Sequence, residues 1–183
     1  MTGGDPAFRD AAPAIFLMGT IGAGKTTLAR ALARAVGGRH VESDDFHHRS
    51  RPWFASSLST CRQVLHAILD ARRDGPAIVS YPLRCREWIF FRRRLAEAAI
   101  PTVFVTLAAS KDSLLAADRG RRFTEKERRR IEEMLRQGYD SRPFADLVVR
   151  TDLGSPDDAL ARLVAGLLAL GMLDRPPARP SRT

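Results

Sequence analysis

Cysteine is nearly absent, with two among 183 residues, Cys61 and Cys85. They show neither metal-type spacing nor a repeated pairing pattern, so the expectation is ordinary intracellular thiols and no disulfide framework. Lysine is also scarce, supplying only three of the 30 basic residues (Lys25, Lys111 and Lys126). Long apolar runs are missing too, and no stretch approaches the roughly 20 residues needed to cross a bilayer. Residues 1–13 place no apolar run behind a basic start, which gives no expectation of a signal peptide. These absences point to a soluble cytoplasmic protein with no membrane partner.

What is present suits one compact domain. Hydrophobic residues make up 44% of the 183 positions, enough for one well-filled core and too little for two. The formal charge of +9 invites a nucleic-acid reading. Against it, the basic residues fall largely on helical stretches beside acids, as in Glu125–Arg136, where Arg128 and Arg129 precede Glu132 and Glu133. Such neighbours mark a solvated helix face. A nucleic-acid partner is not expected, and a basic cleft for an anionic small molecule fits the same charge.

Short apolar runs alternate with amphipathic stretches. Strands are expected at Ala14–Met18, Arg39–Ser43, Ala77–Tyr81, Thr102–Leu107 and Asp146–Arg150. Helices are expected from Lys25 to about Val36, then at Ala55–Arg73, Arg86–Ala98 and Pro156–Leu170, with a short one near Asp112–Ala117. Thr124 with Glu127 three positions on reads as a capping box that opens a further helix to about Gly138. The alternation predicts an α/β fold of three layers, with a five-stranded parallel sheet flanked by helices and a small lid. Residues 1–12 are expected to be a flexible start, 13–172 the domain with its lid near 118–126, and 173–183 a disordered Pro-rich tail. In such sheets sites gather at the carboxyl ends of the strands.

One motif lies at that end of the first strand. Residues Gly19, Thr20, Ile21, Gly22, Ala23, Gly24, Lys25 and Thr26 fit G-x-x-x-x-G-K-[ST] without a mismatch. The glycines let backbone N–H groups converge on phosphate oxygens, with Gly22 and Gly24 clearing the approach path. Lys25 reaches the outer phosphates, the Thr26 hydroxyl suits Mg²⁺, and Thr27 follows in a helix whose positive end faces the anion. Nucleoside triphosphate binding follows, with ATP and Mg²⁺ as the expected cofactors. GTPases, AAA-type motors and small kinases share this motif. A motor would need a longer chain, and a guanine reader would carry an N-K-x-D segment, which is missing. That leaves a small kinase fold.

Two further clusters suit phosphoryl transfer. Glu42, Asp44 and Asp45 follow the second strand, where one carboxylate can accept a hydroxyl proton and another can help hold Mg²⁺. A turn-capping role for the Asp-Asp pair is the competing reading. Arg119, Arg121 and Arg122 lie where a closing lid would bring guanidinium groups onto the transferring phosphate. Arg119 and Arg122 are the expected lid residues, with Arg119 also placed near the nucleotide.

Glu42-Ser43-Asp44, continued by Asp45-Phe46-His47, resembles the acid-x-acid segment of the gluconate kinase and shikimate kinase group. Ser80-Tyr81-Pro82-Leu83-Arg84 is similar to the gluconate kinase segment after the third strand, and residues 139–152 to the shikimate kinase run into the last strand. The resemblance implies that Asp44 orients or deprotonates the acceptor hydroxyl and that Glu42 lies near Mg²⁺. It further implies that His47, Arg84 and either Arg136 or Arg142 contact the acceptor. Departures leave the acceptor open: the shikimate kinase triple glycine is replaced by Ser80-Tyr81-Pro82, and Trp53 and Phe54 stand in an unfamiliar segment. Trp53, Phe54 and Tyr81 are open between pocket and core, whereas Trp88–Phe91 is expected to pack on the sheet. The leading reading is an ATP-dependent kinase of a small hydroxylated metabolite, monomeric or homodimeric. The alternatives are action on nucleic-acid ends and a nucleotide-binding regulator without catalysis.

Overall fold

The computed structural model describes residues 12–46, 53–116 and 123–174, without the side chains of 53–57. In chain order the elements are β1 (Ala14–Gly19), α1 (Lys25–Val36), β2 (Arg39–Glu42), α2 (Trp53–Ala71) and β3 (Ala77–Ser80). They continue as α3 (Cys85–Glu97), β4 (Thr102–Ala108), α4 (Lys111–Leu115), α5 (Glu125–Arg136), β5 (Leu147–Arg150) and α6 (Pro156–Ala169). A 3₁₀ turn, Ser43–Phe46, follows β2. The five strands form one sheet in the order β2-β3-β1-β4-β5, and each neighbouring pair is parallel.

β1 lies at the centre and is buried along its whole length, as its unbroken apolar sequence requires. Period-two alternation divides its side chains between two cores. Ile15 and Leu17 join α1, α5 and α6 on one face, whereas Phe16 and Met18 join α2 and α3 on the other. β4 repeats this division, with Val103, Val105 and Leu107 on the first face and Phe104 on the second. Full burial of each such side chain contributes about 1.5–3 kcal/mol. The sheet therefore holds the carboxyl ends of β1, β2 and β3 side by side.

Local chemistry sets the element ends. The Thr124 N–H donates to Glu127 Oε2 at 2.9 Å and the Glu127 N–H returns to Thr124 Oγ1 at 3.3 Å, so the expected capping box opens α5. Ser155 and Asp158 make the same exchange before α6. Asp146 stands just outside β5 instead of within it. Its carboxylate accepts the Phe104 N–H at 2.8 Å, so it starts the pairing with β4 from a side chain. The expected ion pairs on α5 are rearranged: Arg129 holds Glu125, Arg136 holds Glu133, and Lys111 reaches Glu132 from α4. Tyr81 belongs to the core, 5% exposed, and Phe91 is fully buried beside it. Among the described residues, no helix is long and apolar enough to cross a membrane.

Candidate functional site

The loop between β1 and α1 is shaped by glycine. Gly24 adopts φ +89°, and a Cβ there would meet nothing within 4 Å, so its missing side chain leaves the mouth of α1 open. Gly22, at φ +82°, has a different neighbour. A Cβ on it would lie 2.9 Å from the Phe123 ring, so the glycine admits that ring against the loop. Lys25 Nζ donates to the carbonyls of Gly19 at 3.1 Å and Thr20 at 2.7 Å, which arches its chain back over the loop. Ala23 is buried and anchors the turn in the core.

The first residue of β2's carboxyl cluster meets this loop directly. The Thr26 hydroxyl donates to Glu42 Oε2 at 2.7 Å. Burial pushes the Glu42 carboxyl above its ordinary range, and nearby Asp44 and Asp45 act the same way, against the Thr26 hydrogen bond and Lys25. Two residues on, Asp44 is exposed in the 3₁₀ turn. Ser43, between them, is fully buried and turns the chain inward. Lys25 and Thr26 open α1, and Glu42 and Asp44 stand at and just past the carboxyl end of β2, two strands from β1; the Thr26–Glu42 hydrogen bond joins the two groups.

His40, which no motif singles out, belongs to the same surface. Its Nε2 lies 2.9 Å from Ser80 Oγ and 3.7 Å from Glu42 Oε2. Burial holds its imidazole below the ordinary value, with Arg30 acting the same way and Asp45 opposing. The signal for it was its place two residues before Glu42, since alternate strand residues share a face. Phe123 was legible only as the residue that follows the arginine run.

Arg84 stands just past β3. Its guanidinium grips Glu87 through Nη2–Oε1 at 2.8 Å and Nε–Oε2 at 3.3 Å, and its backbone N–H caps the same carboxylate at 2.8 Å. Glu87 is 3% exposed, so Arg84 is anchored on a buried partner. The two competing arginines separate. Arg136 is largely exposed and pairs with Glu133 on its own helix. Arg142 lies 3.7 Å over the Tyr139 ring, bonds to the Gln137 carbonyl, and approaches Phe144, which stacks on Trp88. His47, Arg119, Arg121 and Arg122, and the side chains of Trp53 and Phe54, lie outside the described residues.

The site can bind a polyphosphate at the mouth of α1 and hold carboxylates beside it. Its oxygen donors also fit Mg²⁺, which is bound through one or two carboxylates plus substrate phosphates and otherwise keeps its waters. Thr26 and Glu42 supply a hydroxyl and a partly buried carboxylate in contact. Among the described residues, no group of three His, Cys, Asp or Glu forms a fuller metal cage.

A parallel five-stranded sheet with this loop at the end of its central strand defines a P-loop domain with the fold of small-molecule kinases. The chain belongs to the AAA domain family, which matches residues 15–140. No curated protein matches its sequence. Solved structures share the fold at low identity. A gluconokinase from Sinorhizobium meliloti 1021 is 24% identical with a TM-score of 0.61, covering 87% of this chain and 93% of its own. Shikimate kinase from Acinetobacter baumannii, in complex with shikimate, is 22% identical with a TM-score of 0.60, covering 90% and 97%. The Mycobacterium tuberculosis APS kinase, in complex with AMPPNP and APS, is 17% identical with a TM-score of 0.64, covering 86% and 98%.

Proposed function

We propose that this protein transfers the γ-phosphate of ATP to a hydroxyl of a small anionic metabolite. The observation that carries this reading is the contact of Thr26 with Glu42 at 2.7 Å, with Asp44 exposed two residues further on. It joins a phosphate grip to carboxylates at one end of the sheet, as a transfer site requires and a storage or tethering role does not.

Asp44 accepts the proton of the acceptor hydroxyl as its oxygen attacks the γ-phosphorus. The bond from that phosphorus to the bridging oxygen breaks, leaving ADP and a phosphomonoester. Lys25 and the loop N–H groups follow the charge on the phosphates, and Arg119 and Arg122 neutralise it from the lid. Thr26 and Glu42 would hold Mg²⁺, which when bound supplies charge neutralisation at the phosphate oxygens. Arg84, fixed by Glu87, and Arg142, fixed over Tyr139, supply cationic contacts for the acceptor, and His47 is assigned a further contact to it. Between the two competing arginines the geometry favours Arg142, because its guanidinium is held over Tyr139 and near Phe144, which stacks on Trp88 of α3, and Arg136 pairs with Glu133. The sugar-acid, shikimate and APS kinases of similar fold all suggest an acceptor carrying negative charge.

A panel of sugar acids, cyclitols and ring-containing alcohols, assayed for ADP release with product detection by mass, tests the reading. The expected result is stoichiometric phosphomonoester from one class of acidic polyol. Nucleotide binding with no transfer to any member would favour the regulator, and transfer to an oligonucleotide end the nucleic-acid alternative.

A further inference from the structure

We propose that His40 is a positioning residue, which with Ser80 holds the Glu42 carboxylate against the Thr26 hydroxyl before any cation arrives. The inference rests on the reading of Glu42 as a cation-side carboxylate.

The arrangement follows from the sheet. His40 and Glu42 are alternate residues of β2 and therefore share a face, and in the parallel register Glu42 lies opposite Ser80 of β3. Ser80 is fully buried, while the side chains of His40 and Glu42 are 13% and 17% exposed. His40 Nε2 thus has two oxygens on one side, Ser80 Oγ at 2.9 Å and Glu42 Oε2 at 3.7 Å. The proposal places the proton on Nε2, donating to the Ser80 hydroxyl with its N–H edge toward Glu42, the tautomer that avoids a lone pair facing the carboxylate. The same Oε2 takes the Thr26 hydroxyl at 2.7 Å. One oxygen is therefore approached from β2 and from α1, and the ring that approaches it is pinned by β3.

That matters because a glutamate with free torsions loses up to about 1.5–2 kcal/mol of rotamer entropy when a ligand orders it. Prior ordering by a histidine removes part of that cost, as partners that orient ligating groups elsewhere do. A purely structural role for His40 would need only its ring volume. The proposal needs the N–H at Nε2.

The variants His40→Phe and His40→Gln separate the two, since phenylalanine keeps the ring and glutamine places an amide N–H near the Nε2 position. Binding of Mn²⁺ to the protein–ADP complex, followed by electron paramagnetic resonance, is the readout, with metal-free ADP binding and thermal unfolding as checks. His40→Phe should weaken Mn²⁺ about tenfold with metal-free ADP binding unchanged, and His40→Gln should recover to within about threefold of wild type. In a Glu42→Gln background, His40→Phe should add nothing, since both act through one carboxylate. Equal loss in His40→Gln and His40→Phe, an undiminished His40→Phe effect without Glu42, or a drop in thermal stability with Mn²⁺ binding intact would each overturn the proposal. If Glu42→Gln alone leaves Mn²⁺ binding unchanged, the assignment of Glu42 itself fails and the role of His40 falls with it.

Discussion

The two faces of the sheet are packed from different materials. On the α1 side the buried residues are aliphatic, with Ile15, Leu17, Leu28, Leu32 and Leu163 around the small Ala23, Ala29 and Ala33. On the α3 side aromatic rings join the aliphatic residues. Phe16 stacks on Phe104 at 4.9 Å and tilts against Phe91 at 5.0 Å, Tyr81 meets Phe91 at 5.8 Å, and Trp88 stacks on Phe144 at 4.9 Å. Small residues let a helix approach the sheet closely, and here the helix is the one whose amino end carries the phosphate loop. Rings leave broader, more irregular surfaces and tolerate polar groups at their edges. The α3 side holds such groups: Glu87 with Arg84, Arg142 over Tyr139, and the Cys61 thiol 3.8 Å from the Tyr81 hydroxyl. Burial pushes that thiol up to about 11, so it is inert at neutral pH. Under the proposed function, the first face places the nucleotide's phosphate loop and the second offers shape and charge to the acceptor.

The sharpest break should come at the site. Lys25→Ala is expected to lower transfer by ~10³ or more, about 4 kcal/mol of transition-state stabilisation, and to weaken ATP binding as well. Asp44→Asn should lower turnover by a factor on the order of 10²–10⁴ while ATP binding stays nearly intact. Isothermal titration with a nonhydrolysable ATP analogue beside single-turnover transfer separates the two. Wild-type transfer by Asp44→Asn would remove it as the base.

Packing variants test whether the faces divide labour. Phe91→Ala, at a fully buried ring, should cost about 3–5 kcal/mol and Leu32→Ala about 2–5 kcal/mol in chemical unfolding. If the division is real, the remaining folded Phe91→Ala protein loses acceptor affinity before ATP affinity, and Leu32→Ala does the reverse. Equal loss of both affinities in both variants would erase the distinction.

How much of this was legible in the sequence differs by face as well. The phosphate side was nearly all there, because the loop's pattern is contiguous and because a buried strand and a helix flank it at the required positions. α1 ends where its periodicity ends, before Gly37. The carboxylates were legible as a cluster, and Glu42 was expected beside the same Mg²⁺ as Thr26, but their direct hydrogen bond across 16 residues needs β2 and α1 brought together. On the α3 side, local sequence said less. Arg142 and Arg136 both sit near the expected position, and only the fold shows one stacked on Tyr139 and the other paired with Glu133. Tyr81 was ambiguous because an aromatic residue after a strand suits a pocket or a core equally, and the α2–α3 packing decided for the core.

The aliphatic face has one further electrostatic tie, and it should give the smallest measurable effect. Asp152, just past β5, accepts the Ser110 N–H at 2.8 Å and the Arg150 guanidinium at 2.8 and 2.7 Å. It thereby links the loops that leave β4 and β5, next to the Thr151 N–H bond to Ala108 at 2.8 Å. The Arg150 guanidinium, with the Ser110 N–H, holds its carboxyl well below the ordinary carboxylate range. A depressed folded-state value means stability present above the unfolded value near 3.9, and lost as pH falls through the folded one. Asp152→Asn should therefore cost on the order of 1 kcal/mol at neutral pH, the scale of a hydrogen bond to a charged group. Urea unfolding of the variant and the wild type at neutral pH, and again below about pH 3, would show the deficit shrinking as the carboxylate of the unfolded wild-type chain takes up a proton that the folded one resists. A deficit unchanged in acid would mean that Asp152 holds these loops by shape and neutral hydrogen bonds, and that the aliphatic face needs no charge at its rim.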